Sequence, residues 1–137
     1  MSLQRPILDI SMEATAQLPY GTLVEIDSTG RAIVASSNSQ KCVGVVVGNN
    51  GASAPFQCTV RVQGIAQILS DGSATITAGQ PIFPSTTTTG RCKPLALSDG
   101  ANVRQCIGLA LNASVVAATA ALLVDVLLMP SWVSNAT

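Results

Sequence analysis

The chain contains no histidine, so the commonest general base, the usual physiological-pH switch and a frequent zinc ligand are all missing together. Four cysteines are present, Cys42, Cys58, Cys92 and Cys106, but no two stand in a CxxC spacing, so no metal centre is expected. Charge is scarce as well: charged residues make up 10% of the chain, and 7 basic residues balance 7 acidic ones. An ordinary soluble domain carries about 25%. With no basic run, nucleic acid has no electrostatic handle. Near-zero net charge also favours association, which points to a surface covered by copies of the chain or by a partner. Aromatics are only 3% while apolar residues reach 47%, so the core must be built from Val, Ile, Leu and Ala, and the branched members of that set suit strands.

Other absences narrow the function further. No GxGxxG or GxxxxGK(S/T) loop supports nucleotide binding, and no cofactor is expected. The opening Met1-Ser2-Leu3-Gln4-Arg5-Pro6 has no apolar segment behind a basic start, which predicts no secretory signal. The longest apolar run, Val115 to Met129, is shorter than the roughly 20 residues of a spanning helix and has Asp125 inside it, so no membrane span is expected. Synthesis inside a cell disfavours disulfides. Cys42 and Cys106 then read as small apolar core residues. Asn112-Ala113-Ser114 and Asn135-Ala136-Thr137 match the glycosylation pattern only by accident on this reading.

What is there is said twice. Pro19-Tyr20-Gly21-Thr22-Leu23-Val24, Ser28-Thr29-Gly30-Arg31, Lys41-Cys42-Val43-Gly44-Val45-Val46-Val47 and Val60-Arg61-Val62 run in one order. Ala78-Gly79-Gln80-Pro81-Ile82, Thr88-Thr89-Gly90-Arg91, Gln105-Cys106-Ile107-Gly108-Leu109-Ala110-Leu111 and Val124-Asp125-Val126 follow in the same order. This alignment matches Gly21 with Gly79, Gly30 with Gly90, Cys42 with Cys106 and Arg61 with Asp125. A unit repeated at this length reads as a supersecondary module packed against its copy.

The 137 residues predict one domain with one core. Residues 1–18, with scattered apolar side chains, read as an extended N-terminal arm. Residues 19–129 read as a duplicated β-domain, with repeat 1 over 19–69 and repeat 2 over 74–129, and 130–137 read as a tail carrying the lone Trp132. Alternation and turn signals place strands over 22–26, 31–35, 42–47, 57–69 with a bend at Gly64, 75–77, 81–84, 92–97, 105–111 and 122–128. The fold class is all-β, a compact barrel or sandwich built from two duplicated β-modules with an extended N-terminal arm.

No nucleophile–base pair emerges, and the chain does not read as an enzyme. Asp27, Asp71 and Asp99 sit in turn sequences where Asp serves local backbone hydrogen bonds. Glu25 falls on the polar face of an alternating strand and is expected in solvent. Arg31 and Arg91 each follow a Thr-Gly turn. One reading makes them exposed turn neighbours; the other, taken with Trp132, makes them contacts to a neighbouring subunit.

The stretches Ala78-Gly79-Gln80-Pro81-Ile82, Thr89-Gly90-Arg91, Cys106 to Leu111 and Val124-Asp125-Val126-Leu127-Leu128, with the central Val62-Gln63-Gly64-Ile65-Ala66, resemble the capsid decoration, or cement, proteins of tailed bacteriophages. The resemblance covers about residues 19–128, and residues 1–18 match no motif of the family. It implies a structural virion protein, synthesised in the host cytoplasm, that binds the outer surface of an icosahedral head. It also implies that the protein stabilises the shell by bridging capsomers, with the major capsid protein and its own copies, as a homotrimer, for partners. On that reading the arm makes the capsid contact through Leu3, Arg5, Pro6, Ile7, Leu8 and Ile10. The competing reading is a receptor- or glycan-binding module on the virion surface, which the four aromatic residues supply poorly.

Overall fold

The computed structural model describes residues 5–94, 103–112 and 122–134, and among them the chain is all β. Nine strands form in order: β1 (Arg5–Ala14), β2 (Leu23–Ile26), β3 (Ala32–Val34), β4 (Gly44–Asn49), β5 (Phe56–Leu69), β6 (Pro81–Pro84), β7 (Cys92–Pro94), β8 (Val103–Ala110) and β9 (Leu123–Ser134). They hydrogen-bond in the order β1-β3-β2-β4-β5-β9-β8-β6-β7, and β1 also pairs with β5. That last pairing closes the first five strands into a barrel, which leaves no long open edge on β5. The other four strands continue from β5 as a sheet.

β5 joins the two parts. Its first half lies between β1 and β4, and from Gly64 onward it pairs with β9, Gly64 opposite Leu128 and Leu69 opposite Leu123. The expected bend at Gly64 is therefore a change of partner within one continuous strand.

The sequence predicts one core, and the structure has two clusters of buried residues. Ala14, Val24, Ala32, Val46, Cys58 and Val60, at least one from each barrel strand, fill the barrel together with Leu18. Leu23, Val45, Ala66, Ile68, Ile82, Ile107, Val124 and Val126 pack between the barrel wall and the second sheet. Successive side chains of a strand point to opposite faces. Leu23 and Val24 on β2, like Val45 and Val46 on β4, thus serve different cores. Phe56 packs against the barrel cluster and Phe83 is fully buried, but the members of both clusters are aliphatics and cysteines.

Hydrogen bonds tie the layers together where strands do not. The Gln105 side chain accepts from the Cys42 backbone N–H at 2.8 Å and donates to the Cys42 carbonyl at 2.9 Å, an amide standing in for a strand partner. Ser85 is buried; its hydroxyl donates to Asp71 at 2.6 Å and accepts from the Thr87 and Thr88 N–H groups. This fastens the turn after β5 to the loop after β6.

Several expectations are revised. Residues 5–14, read as part of an arm, form the strand that closes the barrel. The stretch 75–77 lies outside the nine strands, although Ile76 is fully buried. Glu25 is buried, not solvated, because Ser36 donates to its carboxylate from its backbone N–H at 2.9 Å and its hydroxyl at 2.8 Å. Burial alone would raise the Glu25 pKa, but hydrogen bonds from Ser39 and Ser36 and the charge of Lys41 outweigh it and hold it below the usual value.

The two halves share a pairing order, β3-β2-β4-β5 and β7-β6-β8-β9, yet their ladders do not match residue for residue. Val45 faces Arg61 while Leu109 faces Leu127, so Arg61 corresponds to Leu127 and not to Asp125. Residues 95–102 and 113–121, which include Asp99 and the end of the expected strand 92–97, lie outside the described residues, as do Leu3 and residues 135–137. Neither glycosylation-like tripeptide falls wholly within them.

Candidate functional site

β1 carries a strict two-residue alternation from Leu8 to Glu13: Leu8, Ile10 and Met12 against Asp9, Ser11 and Glu13. That period lets one face of the strand serve the barrel and the other the outside. Met12 packs against the barrel cluster and Ala14 is buried in it. Ile10, opposite Val60, continues the row but is 40% exposed, and Leu8 is 43% exposed beside an irregularity in the ladder. β1 meets β3 only at Ala14 opposite Ala32. The strand thus presents two large aliphatics to solvent from a rigid support.

That support is electrostatic as well as hydrogen-bonded. Arg61 on β5 donates to both carboxylate oxygens of Asp9, from Nε at 2.9 Å and from Nη2 at 3.1 Å, and to the Ile65 carbonyl at 3.0 Å. The Arg61 side chain is only 8% exposed. Two-point pairing of this kind fixes geometry as well as adding energy. Loss of Asp9 takes two of its hydrogen bonds from a nearly buried guanidinium.

The other residues singled out in the sequence are dispersed. Arg5, Pro6 and Ile7 occupy the start of β1, with Pro6 paired to Gly64. Trp132 lies on β9 opposite Gln105. Since Gly64 also faces Leu128, the start of β1 and the outer part of β9 approach β5 at the same point from opposite edges. Arg31 bonds within its own turn, donating to Thr29 Oγ1 at 2.9 Å and lying 3.4 Å from Asp27. The Asp27 carboxyl is held down to about 2 by the Thr29 hydroxyl and the Arg31 N–H.

Arg91 instead follows a glycine packed at the far end of the β2–β3 hairpin, where a Cβ on Gly90 would meet Val34 and Thr22 at 2.8 and 2.9 Å. Nothing surrounds the corresponding position at Gly30. The structure does not bring Arg31 and Arg91 together.

No arrangement for covalent chemistry appears among the described residues. All four cysteines are free thiols and buried. Burial pushes the Cys42 thiol up to about 11 and raises Cys58 and Cys92, which suppresses the reactive thiolate. No group of three His, Cys, Asp or Glu side chains is placed to hold a metal among the described residues. Asp125 is buried; its Oδ1 has no hydrogen-bond partner among the described residues, while Oδ2 accepts from the Asn112 amide at 3.3 Å.

Sequence reasoning passed over a second apolar feature, a depression of about 210 Å³ walled by Tyr20, Val47, Leu69 and Leu123. Tyr20 is 61% exposed there. Its signal was the Pro19-Tyr20-Gly21 turn, read only as part of the repeat.

The site is therefore a fixed strand with an exposed apolar row, on a small two-core β protein with no arrangement for covalent chemistry among the described residues. Residues 3–126 match the family described as phage cement protein. The match begins within the expected arm, so β1 belongs to the family's domain instead of preceding it. No curated protein and no solved structure matches the chain. A structural role on the virion capsid accords with a surface offering area and shape, and neither the fold nor the match supports a receptor- or glycan-binding module. With nearly the whole described fold inside the matched region, this chain belongs to the phage cement protein family.

Proposed function

We propose that the protein binds the outer surface of an icosahedral phage head, contacts the major capsid protein and stabilises the shell by bridging capsomers as a homotrimer. The observation that carries this reading is the exposed pair Leu8 and Ile10 on a strand locked into the barrel. Apolar groups held on a rigid element lose little freedom when covered. A cement protein ties neighbouring subunits together, so it needs several modest contacts acting at once. Linked contacts gain through effective concentration without new chemistry. Leu3, Arg5, Pro6, Ile7, Leu8 and Ile10 form the capsid contact on this reading. Arg31, Arg91 and Trp132 face neighbouring copies.

Changing Leu8→Ser and Ile10→Ser together tests the assignment, because both side chains are partly exposed and their loss spares the cores. Affinity for heads lacking the protein is expected to fall by about tenfold or more, equivalent to about 1.4 kcal/mol, with little change in thermal midpoint. Undiminished binding by the double variant would remove β1 from the contact.

A further inference from the structure

The loop between β4 and β5 contains the only Asn-Gly step of the chain, Asn50-Gly51. We propose that this step is a deamidation site, restrained in the native protein by the hydrogen bonds around it. In the reaction the Gly51 backbone nitrogen attacks the side-chain carbonyl carbon of Asn50, forming a C–N bond and a five-membered succinimide. The bond to the side-chain nitrogen breaks, and that nitrogen leaves as ammonia, taking up the proton lost by the Gly51 amide. Water then opens the ring at either carbonyl, giving aspartate or isoaspartate. Glycine suits the attacking position because no side chain shields its nitrogen. Open space surrounds Gly51, with nothing within 4 Å of where a Cβ would lie.

Both reacting groups are held elsewhere in the structure. The Gly51 N–H donates to Asn49 Oδ1 at 3.0 Å, which occupies the nucleophile. The Asn50 carboxamide bridges the loop, its Nδ2 donating to the Pro55 carbonyl at 2.9 Å and its Oδ1 accepting from the Gln57 N–H at 2.9 Å. The Asn50 N–H also donates to the Gln57 carbonyl at 3.1 Å. Ring closure requires Gly51 to leave Asn49 and the carboxamide to leave its bridge. Once the amide has become a carboxylate, an anionic oxygen faces the Pro55 carbonyl where a donor stood. The loop then cannot re-form its original bonds, so conversion is a one-way loosening at this end of the barrel. Asn49 is the positioning residue of the device, and its Nδ2 separately donates to the Leu18 carbonyl at 2.8 Å.

The test incubates the full chain, native and in denaturant, and follows the peptide containing Asn50 by mass spectrometry with isoaspartate detection. The native protein is expected to convert several-fold more slowly than the denatured chain. Asn49→Ala is expected to convert several-fold faster than the parent when native and equally fast when denatured. Asn49→Asp keeps an acceptor for the Gly51 N–H but loses the donor to Leu18, so it separates the two bonds of Asn49. It is expected to stay slow, and this holds even if Asn49→Ala also loosens the loop. Equal rates for native and denatured parent would overturn the proposal, as would fast conversion in Asn49→Asp or no acceleration in Asn49→Ala.

Discussion

Removal of residues 1–18 is expected to abolish the cooperative unfolding transition, not to yield a folded domain that merely fails to attach. The truncation takes away Ala14, Leu18 and Met12 from the barrel interior and leaves the β5 edge from Phe56 to Ile65 without its β1 partner. It also removes Asp9 from Arg61, whose side chain is 8% exposed. Asp9 is itself partly exposed, so its loss costs less than the ~3–5 kcal/mol of a fully buried pair, while loss of a buried Leu such as Leu18 costs about 2–5 kcal/mol. Total stabilities of single domains are about 5–15 kcal/mol, so these losses, taken with Ala14, Met12 and the whole β1–β5 ladder, consume most of the margin. Urea unfolding followed by circular dichroism checks the outcome. A truncated chain with a sharp transition close to that of the full protein would show that β1 is dispensable to the barrel. The same consideration explains why exposed point changes, and not a deletion, must be used to probe capsid contact.

Gly108→Ala and Gly44→Ala are expected to be strongly destabilising single-methyl additions. A Cβ on Gly108 would overlap the Leu127 carbonyl oxygen and lie 2.9 Å from the Leu127 carbonyl carbon. One on Gly44 would overlap the Arg61 carbonyl oxygen and lie 2.7 Å from Val60 Cγ1. Most of these obstacles are backbone atoms of the paired strand, so relief requires β8 to part from β9, or β4 from β5. Overpacking of a tight site costs about 1–3 kcal/mol and occasionally more; with paired backbone in the way, about 3 kcal/mol or more is expected for each. Gly48→Ala is the control, because its Cβ would meet only the Thr59 side chain at 3.6 Å, an ordinary contact. A shift of about 1 kcal/mol or less is expected there. Denaturant midpoints that place all three variants together would refute the close-approach account.

The repeat that betrays the β modules in the sequence also hides the role of β1. Matching strings exist for β2 through β9, and the run Leu8 to Glu13 has no counterpart in the second half, so the repeat alone makes it read as an arm. Its own alternation was the better guide: a period of two marks a strand with one face to bury, and the unpaired edge of β5 supplies the site. Glu25 illustrates a different limit. Alternation places it opposite Val24, and in a strand covered on one side that position would be wet. β2 is covered on both sides, a tertiary fact that no local pattern carries. The equivalence of Arg61 and Asp125 fails for a third reason: Arg61 lies 16 positions after its partner Val45 and Leu127 lies 18 after Leu109, a difference in the connecting segment that string alignment overlooks. The place of Cys42 and Cys106, by contrast, is legible in the sequence as small side chains within apolar strands, and all four thiols are buried.

Quantitative mass spectrometry of purified virions, giving the copy number of this chain relative to the major shell protein, tests the proposed role most directly. Decoration of the shell lattice predicts a stoichiometric presence, a ratio near one copy per shell subunit or a simple fraction of it. A handful of copies per particle, or none, would contradict it.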